Sequence, residues 1–165
     1  MLKERFAIPC VGAIVEREIN GERCVLVQTR QKENGGDTNG KLEIVGGKLR
    51  EYEDVFQALR REVREETGLN VTVIRGQERK VLNESSGAAF QSFEPFCITQ
   101  NLSGAYSILL LTFLCEAEGE PLAETDETTN IRWMPLRELK ESIECHPEDW
   151  FFIHLNELRQ YVAQR

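Results

Sequence analysis

Three glutamates, Glu62, Glu65 and Glu66, stand at positions i, i+3 and i+4 of a segment whose apolar residues Val55, Phe56, Leu59 and Val63 keep helical spacing. On a helical wheel at about 100° per residue they share one arc of about 100°. Arg60, Arg61 and Arg64 fall on the other side. Like charges at these spacings repel by about 0.2–0.5 kcal/mol per pair, so the arrangement asks for a counter-charge. The acidic arc overlaps the edge of the apolar stripe, which turns the acids toward the body of the protein. A divalent cation is the natural partner, since Mg²⁺ takes hard oxygen ligands and is usually held by few carboxylates together with waters and substrate phosphates. Just ahead stand Gly46 and Gly47, where missing side chains let the backbone come close to a ligand or an ion. Glycines followed by carboxylates point to a diphosphate site.

The elements that would position these residues are legible from pattern. Residues 8–15 and 23–29 are apolar, β-branched-rich runs joined by Asn20-Gly21, and they predict a β-hairpin. Residues 33–40 are a cluster of turn formers and predict a loop, followed by a short strand at 41–45. The acidic helix spans residues 52–67, with Gly68 where a left-handed cap is wanted. Strands are expected at 71–74, 79–82, 92–99, 105–116 and 131–134, with a turn at 101–104. Pro135 suits the first position of a helix through residue 140, and 148–162 has the spacing of a closing helix. Neither a linker nor a repeat divides the chain, so the expectation is one α/β domain over residues 1–165, with a mixed sheet flanked by helices.

Composition removes several alternatives. The 165 residues carry a net charge of -8 and are 41% hydrophobic. The longest apolar runs are about ten residues, against the roughly 20 that span a bilayer, so no membrane partner is expected. The acidic balance disfavours duplex nucleic acid, whose binding draws on Lys and Arg against phosphates. Five cysteines, odd in number and never spaced as C-x-x-C, fit reduced thiols. The first residues lack a cleavage pattern. A cytoplasmic location is expected.

Residues 47–69 resemble the Nudix box of the Nudix hydrolases. Gly47, Glu53, Arg61, Glu62, Val63, Glu65, Glu66, Gly68 and Leu69 fill every fixed position of that pattern. The one departure is Val45, where many members have proline. The resemblance implies an α/β/α sandwich around a mixed sheet, and hydrolysis of a nucleoside diphosphate linked to another group. It implies that Glu62, Glu65 and Glu66 hold Mg²⁺ or Mn²⁺, with the Gly46 carbonyl often completing the shell, and that Glu53 and Arg61 orient loop and helix through an ion pair. Gly47 and Gly68 would be structural. The proton acceptor would be either a box glutamate or a late loop acid, for which Glu127 is the candidate. The resemblance also makes a homodimer a reasonable assembly.

Subfamily markers do not name the substrate. Residues 83–87 offer neither the proline of ADP-ribose members nor the tyrosine of dinucleoside polyphosphate members, and the upstream signature of the coenzyme A type is missing. Nucleoside triphosphates and nucleotide sugars remain by elimination. The alternative is a non-catalytic nucleotide-sensing module that has kept the box. Lys41, Lys48 and Arg50 are candidates for touching phosphate, and Phe93, with Phe90 and Phe96, for stacking on a base. His146 and His154 are expected in a turn and on a helix face, Trp133 near the core, and Trp150, Phe151 and Phe152 as anchors of the last helix.

Overall fold

The computed structural model describes residues 4–33, 35–104 and 107–165. Asn20 and Gly21, both left-handed at φ 52° and 80°, turn β1 (Ile8–Ile19) into β2 (Glu22–Arg30). The hairpin pairs Glu16 with Val25 through Ile19 with Glu22. The other half of β1 pairs antiparallel with β4 (Val45–Lys48), which follows the two-residue β3 (Leu42–Glu43). Chain then passes through α1 (Val55–Thr67), β5 (Asn70–Ile74) and an outlying hairpin of β6 (Val81–Ser85) and β7 (Ala88–Ser92). Next come β8 (Cys97–Gln100), β9 (Ile108–Glu118), β10 (Thr128–Pro135), α2 (Leu136–Cys145) and α3 (Leu155–Ala163).

The main sheet runs β10-β2-β1-β9-β5, with β3, β4 and β8 paired onto β2, β1 and β9. Its central pair, β1 and β9, is parallel from Ile8↔Ile108 to Glu16↔Glu116, and its other ladders are antiparallel, so the sheet is mixed. Strand alternation sends successive β1 residues to opposite faces. Val11, Ala13 and Val15 pack with Val55, Phe56, Leu59 and Val63 of α1. Ile14 joins Val25, Val27 and Leu114 against Leu139 and Ile143 of α2 and Leu158 and Tyr161 of α3. Among the described residues one helix covers one face and two cover the other. No helix among the described residues is long and apolar enough to cross a membrane.

Several boundaries differ from the sequence expectation. The acidic helix begins at Val55, because Tyr52 is fully out in solvent at φ 60° and Asp54 takes the cap. The strands expected at 79–82 and 92–99 give way to the β6-β7 hairpin, turned at Ser86-Gly87, and to a separate β8. The strand expected at 105–116 is found from Ile108, residues 105–106 lying outside the described residues, as does Asn34 of the 33–40 loop. Pro135 ends β10 and stands one place before the first turn of α2. The closing helix is broken: residues 147–149 and 152–154 form single tight turns, and Trp150 bridges to Leu42 instead. Trp150 is buried and its Nε1 donates to Ser142 Oγ at 2.9 Å, but Phe152 is 68% exposed and anchors nothing in the core.

Candidate active site

Both ends of α1 are fixed by local chemistry. Asp54 Oδ1 accepts from the N–H groups of Phe56 and Gln57 at 2.8 and 3.1 Å, satisfying donors that the first turn leaves free. Gly68 closes the helix at φ 77°, its N–H donating to Arg64 O at 3.0 Å. Between these caps the apolar stripe sits on β1 and β9, so the acidic residues emerge beside β4. A Cβ on Gly46 would come within 2.6 Å of the Val11 carbonyl in β1, and one on Gly47 within 2.1 Å of Glu62 Cδ. The first glycine lets two strands pair, and the second leaves room for a carboxylate. Val45, where proline was the family's usual choice, pairs in register with Ala13 and is fully buried.

The three glutamates differ in setting. Glu66 is buried, with Oε2 accepting from Gln28 Nε2 at 2.8 Å and from the Gly46 N–H at 3.3 Å. Burial pushes its carboxyl up to about 7, against the pull of Lys32. The Glu62 side chain is mostly enclosed, whereas that of Glu65 is half exposed. The wheel placed Arg61 on the opposite arc, but its long side chain reaches back. Arg61 Nη1 donates to Glu62 Oε1 at 2.6 Å and to Glu65 Oε2 at 3.2 Å. Its Nε and Nη2 grip Glu53 at 2.7 and 2.8 Å, a bidentate pair that ties the loop before α1 to the helix. The Arg61 guanidinium, helped by the Arg50 N–H, holds the Glu53 carboxyl down at about 2.

Glu127 arrives from the loop preceding β10. That loop is pinned by the Gln31 N–H donating to the Glu127 carbonyl at 2.8 Å and by Thr128 Oγ1 donating to the Glu66 carbonyl at 3.2 Å. Glu62, Glu65, Glu66 and Glu127, with Thr125 and Asp126, line a cleft of about 200 Å³. A larger hollow of about 300 Å³ is lined by Asn39, Gly40, Lys41, Leu42 and Asp149 and carries no such cluster. Lys41 belongs there, its Nζ donating to the Glu148 carbonyl at 2.6 Å.

The other candidates separate in the structure. The Lys48 side chain is exposed and its carbonyl accepts from Arg61 Nη2 at 3.2 Å, while Arg50 stands 3.8 Å from Glu65. Phe93 is half-buried, its ring centroid 6.0 and 6.1 Å from those of Phe56 and Phe113, so it packs at the margin of the core. Phe96 packs on Tyr161, and Phe90 stands in solvent on β7. His146 is exposed beside Glu148, and His154 is buried with Nδ1 at 2.7 Å from Glu157.

With this geometry in place, comparison with known proteins is decisive at the level of family: the NUDIX domain matches residues 8–154. This chain belongs to the Nudix family. No curated protein matches it. Among solved structures it resembles the NUDIX domain of Shewanella oneidensis NrtR complexed with ADP ribose, at TM-score 0.66 and 16% identity over 98% of this chain and 90% of that one. A MutT protein from Methanosarcina mazei Go1 aligns at TM-score 0.64 and 20% identity, covering 98% and 99% of the two chains. A C. elegans Ap4A hydrolase binary complex aligns at TM-score 0.54 and 16% identity, covering 96% and 100%. At these identities the likeness establishes the Nudix fold, and Nudix membership rests on the domain match.

The donor set of this Nudix box suits a divalent cation in kind, since every side chain it offers is a hard carboxylate oxygen and Gly47 leaves space at Glu62. Among the described residues no three acidic, His or Cys side chains already converge to hold an ion. They are turned to cations of the chain itself: Glu62 and Glu65 to Arg61, and Glu66 to Lys32 at 3.2 Å. Sequence reading missed Lys32, Gln28 and Glu43. Glu43 is buried under the site, accepting from Arg30 Nη1 at 3.1 Å and Gln28 Nε2 at 3.4 Å. The signal in sequence was a glutamine directly after the apolar strand run Cys24 to Val27, and a glutamate between Leu42 and Ile44.

Proposed function

We propose that this Nudix protein is a divalent-metal-dependent pyrophosphohydrolase that cleaves a nucleoside diphosphate linked to another moiety, of the nucleoside triphosphate or nucleotide sugar type. The observation that carries the reading is the cleft in which Glu62, Glu65 and Glu66 of one helix face Glu127 of a separately tethered loop. Glu62, Glu65 and Glu66 would hold Mg²⁺ or Mn²⁺, with the Gly46 carbonyl as a further donor. When bound, such an ion neutralises phosphate charge and lowers the pKa of a ligated water. The chain's own residues then act as follows. Arg61, locked by Glu53, sets the rotamers of Glu62 and Glu65. Glu127 or a box glutamate accepts the water proton as the new O–P bond forms and the anhydride P–O bond breaks. Arg50, 3.8 Å from Glu65, and the exposed Lys48 would contact phosphate, and Phe93 would contact the base. A single Nudix domain, a cytoplasmic location and a homodimer complete the proposal, the location being in keeping with five free thiols.

A second reading, nucleotide binding without hydrolysis, is favoured by one observation: each box carboxylate is already neutralised by Arg61, Arg50 or Lys32. Product analysis across nucleoside triphosphates, nucleotide sugars and dinucleotides with Mg²⁺ or Mn²⁺ separates the two. Turnover by the wild type, lost by orders of magnitude in folded Glu65→Gln and Glu66→Gln, supports the hydrolase and names the bond. Nucleotide binding with no product from any compound supports the sensing module.

A further inference from the structure

Lys32 lies just beyond the end of β2, and its ammonium bridges two elements that meet at the cleft. Nζ is 2.5 Å from Glu127 Oε2 and 3.2 Å from Glu66 Oε1. The residue is fixed at its backbone as well as its head. Its N–H donates to Asn39 Oδ1 at 2.9 Å, and its carbonyl accepts from Asn39 Nδ2 at 2.9 Å. Only 25% of its side chain is exposed. A solvated surface lysine has none of these constraints. The Glu66 and Glu127 carboxylates flank a cleft whose remaining wall is largely acidic, and among the described residues Lys32 is the one ammonium that touches both.

We propose that Lys32 is the resident counter-ion of this site, a positioning residue that holds Glu66 and Glu127 at a set spacing and must be displaced from Glu66 by an incoming divalent cation. The inference rests on Glu66 being a metal ligand, as in the function proposed above. An ammonium and a divalent cation cannot share one partly enclosed carboxylate pair without strong mutual repulsion. The lysine therefore stabilises the ligand-free arrangement and weakens metal binding relative to the same carboxylates without it. A lysine with a purely architectural role would do the reverse, since losing it would loosen the site.

Manganese binding, followed by electron paramagnetic resonance of free Mn²⁺, tests this without substrate or turnover. The expected result is that Lys32→Met binds Mn²⁺ roughly tenfold tighter than wild type, the factor associated with one charge-assisted hydrogen bond, while Lys32→Arg stays close to wild type. Circular dichroism checks that each variant is folded, and Lys32→Gln carries the same expectation if the methionine variant is not. Equal or weaker Mn²⁺ binding by the neutral variant overturns the counter-ion role. If the wild type nevertheless binds Mn²⁺ and Glu66→Gln does not, the proposed metal site itself still stands. Absence of Mn²⁺ binding from wild type and neutral variant alike overturns both.

Discussion

Adding one methyl group to each of the two adjacent glycines should separate architecture from chemistry. At Gly46 the new Cβ would meet the Val11 carbonyl at 2.6 Å and the Gly12 Cα at 3.4 Å, both main-chain atoms of a paired strand. Neither can move without shifting the ladder, and overpacking of this kind costs about 1–3 kcal/mol. For a chain of this size each kcal/mol lowers Tm by about 2–4 °C, so Gly46→Ala should lose about 2–12 °C. At Gly47 the obstruction is the Glu62 carboxylate, at 2.1 to 2.3 Å, which sits at the far end of a flexible side chain and can swing away. The swing gives up the 2.6 Å contact with Arg61, but Arg61 keeps both bonds to Glu53. That loss of about 1–2 kcal/mol is offset by about 0.4–1 kcal/mol from the stiffer unfolded chain of alanine. Gly47→Ala should therefore lose at most about 6 °C. It should nevertheless weaken Mn²⁺ binding about tenfold or more, because one carboxylate has been evicted. Calorimetric melting and Mn²⁺ titration of both variants are the assays. A Gly47→Ala protein that melts below Gly46→Ala, or that binds Mn²⁺ as the wild type does, refutes the reasoning.

Acid stability should report the Glu53 and Arg61 pair. Glu53 is held at about 2 rather than the ordinary 4.5, so its contribution is present above about pH 4.5 and fades as pH falls toward 2. In Arg61→Met the fall of Tm across that window should flatten, and an unchanged slope would contradict the assignment. Asp54→Ala removes two cap bonds to Phe56 and Gln57 and should cost about 0.5–2 kcal/mol, read from urea midpoints at constant m. Trp150→Ala empties a buried site between β3 and α2 and should cost about 3–5 kcal/mol, with a destabilisation below 1 kcal/mol counting against the packing described.

The residues that announced themselves in sequence were those whose partners lie close along the chain. Asn20-Gly21 dictates its turn alone, and Gly68 dictates the end of α1, because left-handed backbone is a property of the residue itself. Glu62, Glu65 and Glu66 share a face because helical geometry puts them there. Ser86-Gly87 carried the same kind of turn signal as Asn20-Gly21. It went unread because β6 and β7 are exposed on both faces and show no alternation of apolar and polar residues. The closing helix failed for a different reason: residues 148–162 carry apolar residues at helical spacing, but the Phe151 N–H is claimed by the Leu42 carbonyl at 2.8 Å, a contact between distant segments. The roles of Gln28, Lys32 and Glu43 escaped for the same reason. Each acts through a partner from a distant segment, Glu66 of α1 for Gln28 and Lys32 and the β2 residues Gln28 and Arg30 for Glu43, and no local spacing encodes that. Arg61 was misplaced because a wheel locates Cβ atoms, and its side chain is long enough to cross from one arc to another.

The parallel ladder at the centre of the sheet has a consequence for how the protein is made. Each β1 residue from Ile8 to Glu16 pairs with the residue one hundred positions further on. Synthesis runs at about 5–20 residues per second. The β1-β2 hairpin therefore waits about 5–20 s after leaving the ribosome before its neighbour exists. During that wait Val11, Ala13 and Val15 have no β9 beside them, and α1 lacks Phe113 and Cys115 beneath it. A nascent chain shorter than β9 thus offers an open strand edge and apolar side chains, the combination that recruits chaperones or, failing them, other nascent chains. The acidic cleft comes later still, because Glu127 and Thr128 follow β9 in the chain. Expression yield should accordingly respond to translation rate and chaperone supply more steeply than the melting temperature of the finished protein would suggest.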